Sequence, residues 1–163
     1  MPFLTRLLLT GLLFTAAATP LHASDAGRIL IVVSGEGSDQ GKTRPGYEFD
    51  ELSQAWLIFK ANGFAVDVAS PQGGAVEADK YNAQEPFNAA LLADADAMRV
   101  LADTRTTSEV KATDYAAIYV VGGKGAMFDL PRDASLRSLL ADAYEHGAVI
   151  GAVCHGPAAF ADV

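Results

Sequence analysis

The chain has 163 residues, half of them hydrophobic, with 12 Lys and Arg against 20 Asp and Glu and a formal net charge of −8. That length suits one domain with a real core, and an acidic balance without basic clusters argues against nucleic acid or an anionic lipid surface as partner. Cys154 is the only cysteine, which excludes an internal disulfide and leaves the thiol to matter by packing or by reactivity.

Residues 1–23 read as a secretory signal peptide. Arg6 is the positive start, Leu7 to Ala18 is an apolar stretch too short to span a membrane, and Thr19-Pro20-Leu21-His22-Ala23 offers a small-residue cleavage site. Ala18 is the alternative cleavage position, and an uncleaved anchor is the competing reading. Either way residues 24–163 are expected to be exported, into the periplasm, as a single domain. A lone thiol in an oxidising compartment is unusual, since such compartments favour paired cysteines.

Arg28 to Ser34 is apolar and β-branched along both faces, the mark of a buried parallel strand. Gly35 to Pro45 is a polar loop. From Glu48 to Asn62 the period changes: Leu52, Ala55, Trp56 and Phe59 share one helical face, and Asn62-Gly63 is a stop. Phe64 to Ser70 is a second strand, followed by an irregular stretch from Val76 to Pro86. Asn88 through Met98 reads as one helix with Asn88 as its cap, while Leu101 to Lys111 fits no single pattern. Tyr115 to Val121 is a third strand, ended by Gly122-Gly123-Lys124-Gly125. Asp133 or Ala134 opens a helix that buries Leu136, Leu139, Leu140 and Ala143 and stops at Gly147. Ala148 to Val153 is a fourth strand, and a last helix begins at His155. Strands alternating with helices imply a parallel sheet in a three-layer α/β/α sandwich. In such sheets function collects beyond the carboxyl ends of the strands, where Ser34-Gly35, Gly122-Gly123 and Cys154 fall.

Cys154 ends an apolar run and is followed by His155-Gly156-Pro157, the pattern of a nucleophile at a strand-to-helix turn. A helix start would stabilise its thiolate; a buried, inert thiol is the plainer alternative. The His155 N–H is placed to face an oxyanion formed on an attacked carbonyl, and Gly122-Gly123 can supply a second backbone donor, although tight-turn glycines explain the pair equally simply. Neighbouring side chains on a turn usually diverge, so adjacency alone does not make His155 the base for Cys154. His146 sits where capping explains it, and Glu48, Asp50 and Glu51 sit where helix-dipole compensation competes with function. Gly122-Gly123-Lys124-Gly125 has neither the Walker spacing nor the GxGxxG order of a phosphate loop.

Four blocks taken together resemble the ThiJ/PfpI family of the class I glutamine amidotransferase-like superfamily. They are Pro45 to Glu51, Gly63 to Gly74, Tyr119 to Pro131 and Ala152 to Pro157, and the likeness runs from about Arg28 to Phe160. The third block is most similar to the heat-shock chaperone and glyoxalase III branch. The resemblance implies a flavodoxin-like, mostly parallel sheet and a cysteine enzyme acting on a small reactive aldehyde, converting methylglyoxal to lactate without glutathione, metal or other cofactor. It makes Cys154 the nucleophile, Glu51 the general acid-base, His155 a proton-transfer residue, and Gly123 and His155 the oxyanion donors. Lys124 departs from the histidine that most often follows the paired glycines, which bears on substrate choice. The same resemblance allows a homodimer, and it leaves three rivals: a cysteine amidase or peptidase, a chaperone or redox-stress protein without turnover, and an inactive fragment. Family members continue past the elbow, so the domain is expected to lack its C-terminal part, with Ala148 to Val153 as an open, apolar edge.

Overall fold

The computed structural model describes residues 26–163; the expected leader lies outside them. Five parallel strands, β1 (Arg28–Val32), β2 (Ala65–Ser70), β3 (Arg105–Thr106), β4 (Ala117–Val120) and β5 (Val149–Ala152), form one sheet in the order β3-β2-β1-β4-β5. β1 is central, paired with β2 on one side and β4 on the other. Its side chains alternate between two cores. Leu30 and Val32 join Leu136, Leu139 and Leu140 of α4 (Ala134–Glu145). Ile31 and Val33 join Leu52, Ala55 and Trp56 of α1 (Phe49–Ala61). Both faces are dry, which is why the strand is apolar throughout instead of alternating.

α1 follows the expected amphipathic face and ends at Gly63, whose φ of 84° is the left-handed stop that glycine permits. Trp56, only 2% exposed, anchors it, and the indole N–H donates to Asp94 Oδ2 at 3.2 Å. Truncating such a side chain to Ala costs about 3–5 kcal/mol.

Three expectations need correction. The helix expected over Asn88 to Met98 is two: α2 (Pro86–Ala93) and α3 (Ala95–Ala102). Asp94 is extended between them and accepts from the N–H groups of Asp96 and Ala97, capping α3; a cap in place of helical continuation ends one helix and starts the next. Asn88 is not a cap. It is fully buried, accepts from Ser53 Oγ at 2.6 Å and donates to Asp50 and the Asn82 carbonyl. The segment without a pattern contributes a fifth strand, β3 (Arg105–Thr106), only two residues long and paired with Ala69 and Ser70.

β5 (Val149–Ala152) pairs with β4 alone, and Val149 is 68% exposed, so the open edge is present among the described residues. The chain runs outward from β1 to β2 and β3, then returns to place β4 on the other side of β1. The carboxyl ends of β1 and β4 therefore flank the crevice where the winding reverses, the usual location of a site in an open α/β sheet. No helix among the described residues is long and apolar enough to cross a membrane.

Candidate active site

Cys154 stands two residues past β5 with φ at +54°, in the left-handed region that a side chain rarely occupies. Such a residue costs on the order of 1–3 kcal/mol and survives only where its surroundings over-determine it. Here they do. The Gly156 N–H donates to the Val153 carbonyl at 2.7 Å, closing the turn. A Cβ on Gly156 would lie 2.5 Å from the Val120 carbonyl oxygen, so the turn rests directly on β4. The thiol is thereby left exposed.

The same bend brings two neighbours together that adjacency would separate. Cys154 Sγ lies 3.2 Å from His155 Nδ1, within hydrogen-bond reach, which corrects the expectation that their side chains diverge. The expected last helix is also corrected: Gly156–Phe160 is a five-residue 3₁₀ turn. No α-helix therefore starts behind the sulfur, and its hydrogen-bond partner among the described residues is His155 Nδ1.

Glu51 projects from the first turn of α1, and its Oε2 accepts from the Gly122 N–H at 2.7 Å. Gly122 is where three elements meet. A Cβ there would sit 2.7 Å from both Cys154 Cβ and Glu51 Oε2, and 2.8 Å from the Val153 carbonyl oxygen. Cys154 Cβ and Glu51 Oε2 are therefore no more than twice that distance apart. Only glycine leaves the space at this position that the carboxyl group and the thiol-bearing carbon both crowd. The Gly122 carbonyl in turn accepts from the Glu48 N–H at 3.2 Å, locking the start of α1 to the end of β4. Of the Gly122-Gly123 pair expected to supply a donor, Gly122 does not: its amide is engaged by Glu51 and is not free for an oxyanion. The paired glycines after an apolar strand were the available signal.

Gly123 follows with φ at +92°, packed against Gly46, Tyr47 and Glu48 so closely that a Cβ would fall 2.6 to 2.7 Å from their backbones. Among the described residues, the N–H groups of Gly123 and His155 donate to no protein acceptor. Lys124 is exposed at the start of the turn Lys124–Met127.

The other acidic residues separate. Asp50 turns to Asn88 and away from the thiol. Glu48 stays near Glu51 and His155: burial, reinforced by the charges of Glu51, Asp50 and Asp79, pushes its carboxyl group above the ordinary value, against a smaller pull downward from His155. His146 caps α4, its Nδ1 2.6 Å from the Asp142 carbonyl oxygen. A largely apolar groove of about 450 Å³, lined by Glu51, Gln54, Ile58, Phe59, Tyr119 and Val153, opens beside the carboxyl group. A larger concavity of about 610 Å³ lies against α4, lined by Thr107, Lys111, Ser135 and His146; Cys154 and Glu51 are not part of its lining. Among the described residues, no group of three or more His, Cys, Asp or Glu side chains is placed to hold a metal ion.

The DJ-1/PfpI family model matches residues 43–163. The chain belongs to that family. A glutathione-independent glyoxalase of Schizosaccharomyces pombe is 32% identical over 124 residues, which are 72% of this chain and 51% of that protein. One from Saccharomyces cerevisiae is 33% identical over 129 residues, 76% of this chain and 53% of that protein. The chain thus spans about half the length of the curated relatives it matches. Among solved structures, the 24 kDa rapid encystment protein of Francisella tularensis superposes with a TM-score of 0.74 at 28% identity, covering 82% of this chain and 60% of that one. Glyoxalase III of Candida albicans gives 0.71 at 22% identity, covering 82% and 59%, a likeness of fold. This DJ-1/PfpI chain lies near the glyoxalase III branch, with the parallel α/β sheet of its neighbours.

Proposed function

We propose that this DJ-1/PfpI chain carries the cysteine site of a glutathione-independent glyoxalase that converts methylglyoxal to lactate. The observation that carries the reading is the convergence of Glu51 and Cys154 on Gly122; the glyoxalase names of its relatives support it. Cys154 Sγ adds to the aldehyde carbon, forming a C–S bond, and the thiol proton passes by way of His155 to the new hydroxyl group of a hemithioacetal. Glu51 takes the hydrogen on that carbon as a proton, leaving an enediolate, and returns it to the neighbouring carbon as the hydroxyl proton of the first carbon moves to the oxygen of the second. The result is a lactoyl thioester on Cys154. Water then breaks the C–S bond, and lactate leaves with the thiol restored, so the balance is methylglyoxal plus water to lactate. The free N–H groups of Gly123 and His155 are the donors assigned to the oxygen that carries negative charge during addition and hydrolysis. The cysteine supplies the sulfur that glutathione would otherwise bring.

The test is lactate formation from methylglyoxal by the purified chain without added thiol. Cys154→Ala is expected to abolish it; turnover unchanged by that substitution overturns the reading. The exposure of Cys154 favours one second reading, oxidation of the thiol in place of acylation. It predicts a sulfenic acid trapped from the wild-type chain by dimedone, with no lactate formed. We also propose export directed by residues 1–23, which N-terminal sequencing of the secreted protein tests by reading a start at Ser24.

A further inference from the structure

Away from the thiol, the end of β1 and the turn after Gly123 are joined by a carboxyl group that the reaction above does not use. Asp129 Oδ2 accepts from the Gly35 N–H at 2.7 Å and from Ser34 Oγ at 3.0 Å. Ser34 is fully buried, and its Oγ also accepts from the Glu36 N–H at 3.1 Å. That hydroxyl group is a wall for the next segment. A Cβ on Gly125 would lie 2.6 Å from Ser34 Oγ and from the Pro45 carbonyl oxygen, and 2.7 Å from the Gly46 carbonyl oxygen. The Gly125 N–H donates to that Gly46 carbonyl at 3.0 Å. Gly123 is wedged against the same carbonyl oxygen. Ser34 and Gly46 thus form one surface on which the turn carrying Gly123 and Gly125 rests, and Asp129 fixes the Ser34 side of it.

We propose that Asp129 is a positioning residue that holds the Gly123 N–H in register for the oxyanion, acting through Ser34 and Gly35. The inference rests on the glyoxalase reading for its catalytic consequence, and on geometry alone for the placement of Gly123. Its acceptor role needs no charge. Burial pushes the Asp129 carboxyl group above its ordinary value and the nearby Glu36 adds to this, while the bonds from Gly35 and Ser34 pull it back. Its Oδ1 is buried and has no hydrogen-bond partner among the described residues. An amide oxygen can accept the same two bonds, so Asn should replace Asp, whereas the equally shaped but apolar Leu should not.

The experiment compares Asp129→Asn and Asp129→Leu in the full chain by methylglyoxal kinetics and by the ¹H–¹⁵N resonances of Gly123 and Gly125. Asp129→Leu is expected to lower kcat about 10²-fold with KM little changed, the effect of misplacing one donor, and to displace the Gly123 resonance. Asp129→Asn is expected to keep both near wild type. A folded Asp129→Leu protein whose Gly123 resonance does not move overturns the proposal, as does an Asn variant no better than Leu. If Asp129→Leu does not fold, Ser34→Ala removes the intervening hydroxyl group and is held to the same two readouts. A wild-type chain that makes no lactate overturns the glyoxalase reading, and the Gly123 resonance still decides the role of Asp129.

Discussion

Two sets of acidic side chains in this molecule are held in opposite ways. On β2, Asp67 receives Arg28 Nη2 at 2.7 Å and Tyr115 Oη at 2.7 Å, with Arg105 Nη1 at 3.9 Å. Beyond the carboxyl ends of β1 and β4, Glu51 leans on the Gly122 amide and Asp129 on the Gly35 amide. Among the described residues no cation pairs with Glu48, Glu51 or Asp129. The protonation preferences follow. Burial works against the Asp67 carboxylate, yet bonds from Arg28 and Tyr115 outweigh it and hold the group below its ordinary value. Glu48 and Asp129 are pushed above theirs, burial being the first cause for both. A carboxylate pinned by cations is scaffold. A carboxyl group held by amides keeps its geometry in either protonation state, which acid-base chemistry requires.

The largest effect should come from removing a proton carrier while leaving its shape. Glu51→Gln keeps an oxygen for the Gly122 N–H, so the fold should stand, but lactate formation should fall about 10²- to 10⁴-fold. Mass spectrometry should still find the aldehyde adduct on Cys154. Activity equal to wild type would make Glu51 a mere support for Gly122 and erase the distinction between the two regions.

Gly122→Ala comes next. Its Cβ would press on Cys154 Cβ, Glu51 Oε2 and the Val153 carbonyl oxygen at 2.7 to 2.8 Å. The expected outcome is about a 10²-fold loss of kcat from displacement of the site, with about 1–3 kcal/mol of lost stability from overpacking. Gly151→Ala in β5 is the control, because its Cβ would meet only Tyr119 Cδ2 at an ordinary 3.7 Å. If the two substitutions cost the same activity, the crowding at Gly122 has no catalytic meaning.

Much of this was legible in advance. Continuous apolar runs such as Ile29 to Val33 declare strands buried on both faces, and Trp56 with Leu52 and Ala55 declares the buried stripe of α1. The two residues of β3 carry no period of their own; their strand character comes from the neighbouring backbone of Ala69 and Ser70. The break at Asp94 hides in an alanine- and leucine-rich stretch, where the competing signal is one capping carboxylate. At the site, Cys154 stood out as the end of an apolar run, whereas Glu51 needed the family likeness to be singled out from Glu48 and Asp50. The Cys154–His155 contact sits in a turn that rests on the β4 backbone, and the Glu51–Gly122 bond depends on the start of α1 reaching the end of β4. Neither is a property of local sequence.

The smallest effect tests the scaffold side of the comparison, and its sign depends on pH. Because the folded-state pKa of Asp67 is lowered, its ionised form stabilises the fold above the unfolded-state value of about 3.9, and that contribution disappears as pH falls through the folded-state value. Asp67→Asn should therefore lower stability at pH 7 by on the order of 1 kcal/mol, a modest figure because Arg28 is half exposed and screened. In the unfolding midpoint this amounts to a few degrees at this chain length. The difference should close in acid and leave methylglyoxal turnover at neutral pH unchanged. Asp129→Asn should behave in the opposite sense, because it removes a carboxyl group whose ionisation burial opposes, so its stability relative to wild type should improve as pH rises through the raised value. Should both Asn variants lose stability at neutral pH and regain it in acid, the two regions would be held by the same forces, and the contrast between cation-pinned and amide-held carboxyl groups would fail.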